Sequence, residues 1–147
     1  MNGFSSFYPE KEKSPIIVPT NYQTIQSAID AANPGSTIIV KPGVYEEQLY
    51  IDKPLNIIGV RFPIIRAPKK YEMKKFSIKG LKITALITIG SSNVTLRGFN
   101  IDTVIRGFTN SNIKFTAIFI IKGSDVQVRE NKFQNIESAK KHKSRKL

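Results

Sequence analysis

The arrangement in this chain best suited to ligand chemistry is a pair of arginines at the same position of two successive repeats. Residues 85 to 101, ALITIGSSNVTLRGFNI, align without gaps on residues 117 to 133, AIFIIKGSDVQVRENKF, at an offset of 32, with five identities in seventeen. The match preserves an inside/outside alternation over two strands and the turn between them. It places Val94 and Leu96, or Val126 and Val128, inside, so Thr95, Arg97, Gln127 and Arg129 share one outer face. On adjacent strands Arg97 and Arg129 emerge about 4.8 Å apart. Like charges at that spacing repel by about 1 kcal/mol in water and about 3 kcal/mol at an effective dielectric of 20. Three outcomes relieve this: the side chains splay into solvent, Glu130 neutralises one of them locally, or an anion bridges the pair. A carboxylate or sulfate on a glycan suits arginine's planar fork better than lysine's point charge. Tyr50, between inward Leu49 and Ile51, points outward. It can stack on a sugar, although such aromatics more often pack on the next coil. The candidate ligand-binding residues are therefore Arg97, Arg129, Thr95, Gln127 and Tyr50.

No catalytic set emerges beside them. Acid/base or calcium chemistry needs carboxylates stacked on neighbouring strands. In the repeat alignment Asp125 meets Asn93, Asp102 meets Gln134 and Glu130 meets Gly98, so no two acids stack. His142 is the one histidine and Met1 and Met73 are the only thioethers, too few for a copper site. The lack of cysteine excludes disulfides and thiolate sites. No catalytic residue, metal ligand or cofactor is expected.

The net charge of +12 is localised. Residues 66 to 82 carry +6 and residues 138 to 147 carry +5, leaving one positive charge for the rest. A solvated loop and a solubilising tail are the ordinary reading of such runs. Nucleic acid is expected only as a nonspecific partner, through the tail, since no recognised binding motif is present. No stretch approaches the run of about 18 apolar residues of a membrane span, so no membrane partner is expected. The N-terminus lacks the basic and apolar regions of a secretory signal, which makes cytoplasmic the default location.

The elements that must position these residues are short. Residues 1–19 read as a polar leader, partly disordered, ending in the strand-like Ile16-Ile17-Val18. Thr24 can cap a helix whose Ile25, Ala28, Ile29 and Ala32 fall on one face, and Asn33-Pro34-Gly35 stops it. Strands then alternate with tight corners to about residue 136. Lys53–Ile65 matches the later repeats more loosely, pairing Leu55 with Val94, Ile57 with Leu96 and Gly59 with Gly98 at an offset of 39. The seven extra residues fit a basic loop near 68–80 budding from one coil. Strand-rich repeats of this size suit a solenoid, in which each coil buries its inner face against neighbours. Residues 20–136 form the expected domain, and 137–147 a basic tail without order.

The stretch NYQTIQSAIDAANPGSTIIVKPGVYEEQLYIDKPLNIIGV, Asn21 to Val60, resembles the N-terminal capping segment of right-handed parallel β-helix proteins of the pectin lyase-like superfamily, and SSNVTLRGFNI and GSDVQVRENKF look like its coil repeats. The resemblance implies an all-β fold, a right-handed parallel β-helix of roughly four coils capped by a short N-terminal amphipathic helix. Enzymes on that scaffold mostly act on acidic polysaccharides, and with no two acids stacked here the expectation is a binding or scaffold module without catalysis, its ligand an acidic carbohydrate. Two alternatives stand beside this. One is the N-terminal fragment of a pectate lyase-like or pectinesterase-like enzyme lacking its catalytic coils; the other is an intracellular module binding polyanions through its basic tail. The polar segment after Ile136 makes no matching lid for the last coil, so self-association through that end or a missing C-terminal continuation is also expected.

Overall fold

A computed structural model describes residues 14–69, 76–103 and 113–135. The leader before 14, the basic residues 70–75 and the tail from 136 lie outside the described residues. The chain runs β1 (Ile16–Val18), α1 (Ile25–Ala31), β2 (Thr37–Val40), β3 (Val44–Glu46), β4 (Leu49–Ile51), β5 (Asn56–Gly59), β6 (Ile64–Arg66), β7 (Phe76–Ile78), β8 (Leu81–Ile89), β9 (Thr95–Arg97), β10 (Asn100–Asp102), β11 (Ile113–Ile120), β12 (Gln127–Arg129) and β13 (Lys132–Gln134).

The strands form three sheets. Sheet A is β1-β2-β5-β9-β12, sheet B is β13-β10-β6-β3 and sheet C is β11-β8-β4. Every pairing along these three paths is parallel. From β2 onward the chain visits A, B and C in that order, again and again, with β7 as an added strand antiparallel to β8. The fold is thus mostly β with one short helix, compatible with a parallel β-helix, and no sheet closes on itself. β1 lies ahead of the domain start expected at residue 20, yet it pairs with β2 and Val18 is fully buried. Of the basic stretch near 68–80, residues 76–80 form the β7 strand and the turn into β8.

Burial follows the alternation. The inward rows Ile38–Ile57–Leu96, Tyr45–Ile65–Ile101 and Ile51–Ile89 stack in register and are buried throughout. Their outward neighbours Thr37, Asn56 and Tyr50 are partly or well exposed. β-Branched residues dominate these rows because they pack well on a pleated, half-buried surface.

The helix closes one end of this core. Thr24 Oγ1 accepts from the Ser27 N–H at 3.0 Å and Ser27 Oγ accepts from the Thr24 N–H at 3.3 Å, a reciprocal cap. Glu47, at the corner between β3 and β4, adds its carboxylate: its two oxygens accept from the Ile25 and Gln26 N–H groups, both at 2.9 Å. A negative group there satisfies two orphan donors and complements the helix dipole. The inward face, Ile25, Ala28 and Ile29, is completely buried. Gln26 meanwhile covers the free edge of β4, its amide oxygen accepting from the Tyr50 N–H at 2.8 Å and its amide nitrogen donating to the Tyr50 carbonyl at 3.1 Å. One side chain thus takes the place of a neighbouring strand at an otherwise exposed edge.

The gapless repeat needs correction. In sheet C, Ala85 lies opposite Thr116 and Ile87 opposite Ile118, an offset of 31, so the expected pairs Ala85/Ala117 and Ile89/Ile121 do not form. In sheet A the offset is 32. The extra residue lies in the intervening corner, where residues 121–123 stand against Gly90 and Ser91, and Gly123, at φ +147°, already approaches Ser91 so closely that a Cβ would stand 2.5 Å from its carbonyl oxygen. By Ser92 and Ser124 the offset of 32 is established, with the Ser124 N–H donating to Ser92 Oγ at 3.0 Å.

Candidate functional site

Sheet A brings four of the five sequence-predicted residues together. β9 and β12 pair with Thr95 opposite Gln127, Leu96 opposite Val128 and Arg97 opposite Arg129. Leu96 is buried, so Thr95 and Arg97 face outward with Gln127 and Arg129 beside them. Extending the registers across the sheet gives two outward rows. One is Thr37–Asn56–Thr95–Gln127, entirely polar; the other is Ile17–Ile39–Ile58–Arg97–Arg129, aliphatic at one end and cationic at the other. Neighbouring members of each row are separated by the strand spacing of about 4.8 Å.

Glu130, which the sequence offered as a neutraliser of one arginine, serves both. At φ +57° it follows β12 and turns its carboxylate between the two guanidinium groups, 3.3 Å from Arg129 and 3.7 Å from Arg97. A left-handed backbone is uncommon for glutamate, and the equivalent position in the previous coil is Gly98, at φ +81°. The Glu130 side chain is 60% exposed. Ion pairs in such a setting contribute about 0–1 kcal/mol, so Glu130 offsets the repulsion without locking the group. The trio keeps one net positive charge.

Tyr50 is not part of this face. It sits on β4 in sheet C, opposite Thr88, with 41% of its surface exposed. Its phenol lies over Gly90, where an added Cβ would come within 2.9 Å of the hydroxyl oxygen. It is thus placed against the neighbouring coil and apart from the arginine pair.

The sequence did not reveal the buried polar network on sheet B. Arg66 Nε donates to Asp102 Oδ2 at 3.3 Å and Asn135 Nδ2 donates to Asp102 Oδ1 at 2.7 Å, while Asp102 is almost fully buried. Arg66 and Asp102 belong to the row Glu46–Arg66–Asp102–Gln134, so the two acids are separated by an arginine. The offset of 39 that holds for sheet A sets Asp102 opposite Pro63 and hides the pair. Sheet B instead pairs β6 with β10 at an offset of 36, because three more residues occupy the corner before β6 than the one before β10. Arg61 and Phe62, both at positive φ, lie in that longer corner. A charged pair facing each other in adjacent repeats, once each corner is counted separately, is the signal that could have found it.

Tyr45 on β3 has a perturbed phenol. Burial, and secondarily the charge of Glu47, push its phenol above its ordinary value, and its hydroxyl donates to the Lys41 carbonyl at 2.8 Å. It braces a corner and faces no open site. Among the described residues no three histidine, cysteine or acidic side chains converge on a point that could hold a metal ion, and no helix is long and apolar enough to cross a membrane. Asn93 occupies the corner before β9 at φ +56°. No protein-family model, no curated protein and no solved structure matches the chain.

Proposed function

We propose that the chain is a right-handed parallel β-helix of roughly four coils, of the pectin lyase-like kind, and that it is a non-catalytic module binding an acidic carbohydrate along the outer face of sheet A. The observation that carries this reading is the carboxylate already seated between Arg97 and Arg129. Glu130 occupies the place a uronate carboxylate would take, and its exposed ion pairs contribute at most about 1 kcal/mol. A ligand carboxylate bridging both guanidinium groups makes the same kind of exposed pair as Glu130 and competes with it on similar terms, so further contacts along the sheet must supply the binding energy. The polar row Thr37–Asn56–Thr95–Gln127 runs alongside and offers hydroxyl and amide partners at each strand step to a chain of sugar hydroxyls lying along the stack.

The test is calorimetric titration with oligogalacturonate. The double change Arg97→Gln and Arg129→Gln abolishes binding while the circular dichroism spectrum stays the same, and Glu130→Gln raises affinity by removing the internal competitor. Deleting residues 138–147 lowers affinity weakly and mainly at low salt. If the tail deletion eliminates binding and the double arginine change does nothing, anion affinity belongs to the tail and this reading is wrong.

A further inference from the structure

The corner from sheet A to sheet B, beside the arginine pair, carries three features of a second binding place. The first is an exposed aromatic. Between β5 and β6 two successive residues take a left-handed backbone, Arg61 at φ +57° and Phe62 at φ +56°, where the two later corners use one such residue each, Gly98 and Glu130. Bulky side chains rarely adopt this conformation, and residues held in it collect at places where a fold grips a ligand. Here Phe62 is left 39% exposed, with Val60, two residues earlier, exposed to the same degree.

The second feature is a displaceable cation. Lys132 stands next to Asn100, and Asn100 next to Ile64, in one outward row of β13, β10 and β6. The Lys132 ammonium lies 4.0 Å from the centre of the Phe62 ring, two residues ahead of Ile64, so the side chain crosses the start of β10 to reach it. An exposed cation–π contact is weak enough to exchange for an ion pair with an incoming anion. The third feature, on the strand that Lys132 crosses, is an orphan acceptor. Asn100 Oδ1 is buried and has no hydrogen-bond partner among the described residues. Leaving such an atom unpaired is costly, and a hydroxyl donor on a ligand relieves that cost.

We propose, on the basis of the carbohydrate reading above, that this corner is a second subsite for the same acidic glycan. The apolar face of a pyranose ring stacks on Phe62, a ring hydroxyl donates to Asn100 Oδ1, and the Lys132 ammonium leaves the phenyl ring for the carboxylate of that sugar. Lys132 follows Arg129 by three residues, a path of at most about 11 Å, so a short oligosaccharide engages the arginine pair and the corner together. Charge favours a uronate over a neutral sugar. Arg61, Arg97, Arg129 and Lys132 flank the corner against Glu130, while Arg66 and Asp102, further along the outer face of sheet B, pair with each other. The corner supplies contacts that the arginine pair, already matched by Glu130, lacks.

Calorimetric titration with galacturonate oligomers of increasing length tests the proposal, because only an oligomer that spans both places gains from the corner. Phe62→Ala lowers the affinity of the longer oligomers roughly 10-fold and leaves the shortest one that binds unaffected, and Phe62→Tyr, which keeps a stacking face, binds as the parent does. Asn100→Leu lowers the affinity of the longer oligomers about 5-fold without lowering the melting temperature, since it removes an unpaired acceptor; an asparagine with a purely structural role would show the opposite pattern. The chain contains no tryptophan, so Phe62→Trp adds a single indole whose emission shifts as the oligomer binds. Deleting residues 138–147 leaves all these differences in place. Oligomers that bind while the introduced indole stays silent, or corner variants with parental affinity at every length, overturn the proposal and leave the sheet A reading standing. No binding of any oligomer to the unaltered chain removes the carbohydrate reading itself, and the proposal with it.

Discussion

Replacing Ile29 with aspartate tests whether α1 stabilises the whole stack or merely decorates it. Ile29 is fully buried with Ile25 and Ala28 on the helix face that closes the core. Removing its apolar burial costs about 3 kcal/mol. The new carboxyl must be neutralised at pH 7, and forcing its pKa up by about 3 units adds roughly 4 kcal/mol. The sum of about 7 kcal/mol is an upper value, since the helix can detach and return the charge to water. Detachment loses Ile25 as well and uncovers the inward rows, which keeps the cost above about 4 kcal/mol. A domain of this size has about 5–15 kcal/mol in all. Urea unfolding followed by circular dichroism therefore gives a midpoint far below that of the parent, or no folded baseline. Ile29→Ala provides the graded comparison at about 2–4 kcal/mol. Ala31→Asp, at an exposed position of the same helix, costs less than about 1 kcal/mol. Equal midpoints for Ile29→Asp and Ala31→Asp would refute the view of α1 as a lid on the core.

Three further outcomes are expected. Asp102→Ala removes the buried carboxylate that accepts from both Arg66 and Asn135, and destabilises by about 3 kcal/mol; a double-mutant cycle with Arg66→Ala gives a coupling of at least about 1 kcal/mol, and additivity would disprove the pairing. Gly98→Ala places a Cβ 2.4 Å from the Gly59 carbonyl oxygen at a residue with φ +81°, and loses more than about 2 kcal/mol in thermal unfolding, whereas Gly80→Ala, with open space around it, loses only the conformational part. Tyr45, whose folded pKa is raised, keeps a proton that the unfolded chain has already lost as pH climbs past the ordinary value of 10.0. Its contribution is complete below that pH and declines as pH rises toward the folded value, so Tyr45→Phe flattens the alkaline loss of stability while costing about 1 kcal/mol at neutral pH.

The sequence by itself determined the helix, its cap and its buried face, because Thr24 and the spacing of Ile25, Ala28 and Ile29 are local features that need no distant partner. It also determined two of the four sheet A registers, β5 with β9 and β9 with β12. The loose match of Leu55, Ile57 and Gly59 to Val94, Leu96 and Gly98 reappears as β5 beside β9, and the adjacency of Arg97 and Arg129 follows from the offset of 32. What only the tertiary structure decided is how the other two sheets align. Each corner takes up or drops residues independently, so one coil carries offsets of 39, 36 and 31 to the next on its three sides, whereas the following step carries 32 on both sheet A and sheet B. A single offset per repeat cannot represent that, which is why Arg66 and Asp102 stayed hidden and Ala85 was matched to the wrong residue. Glu130 between the arginines, and Tyr50 away from them, were equally out of reach. The first depends on a left-handed backbone turn after β12. The second depends on which side of the stack β4 occupies, and both are set by the path of the chain through space.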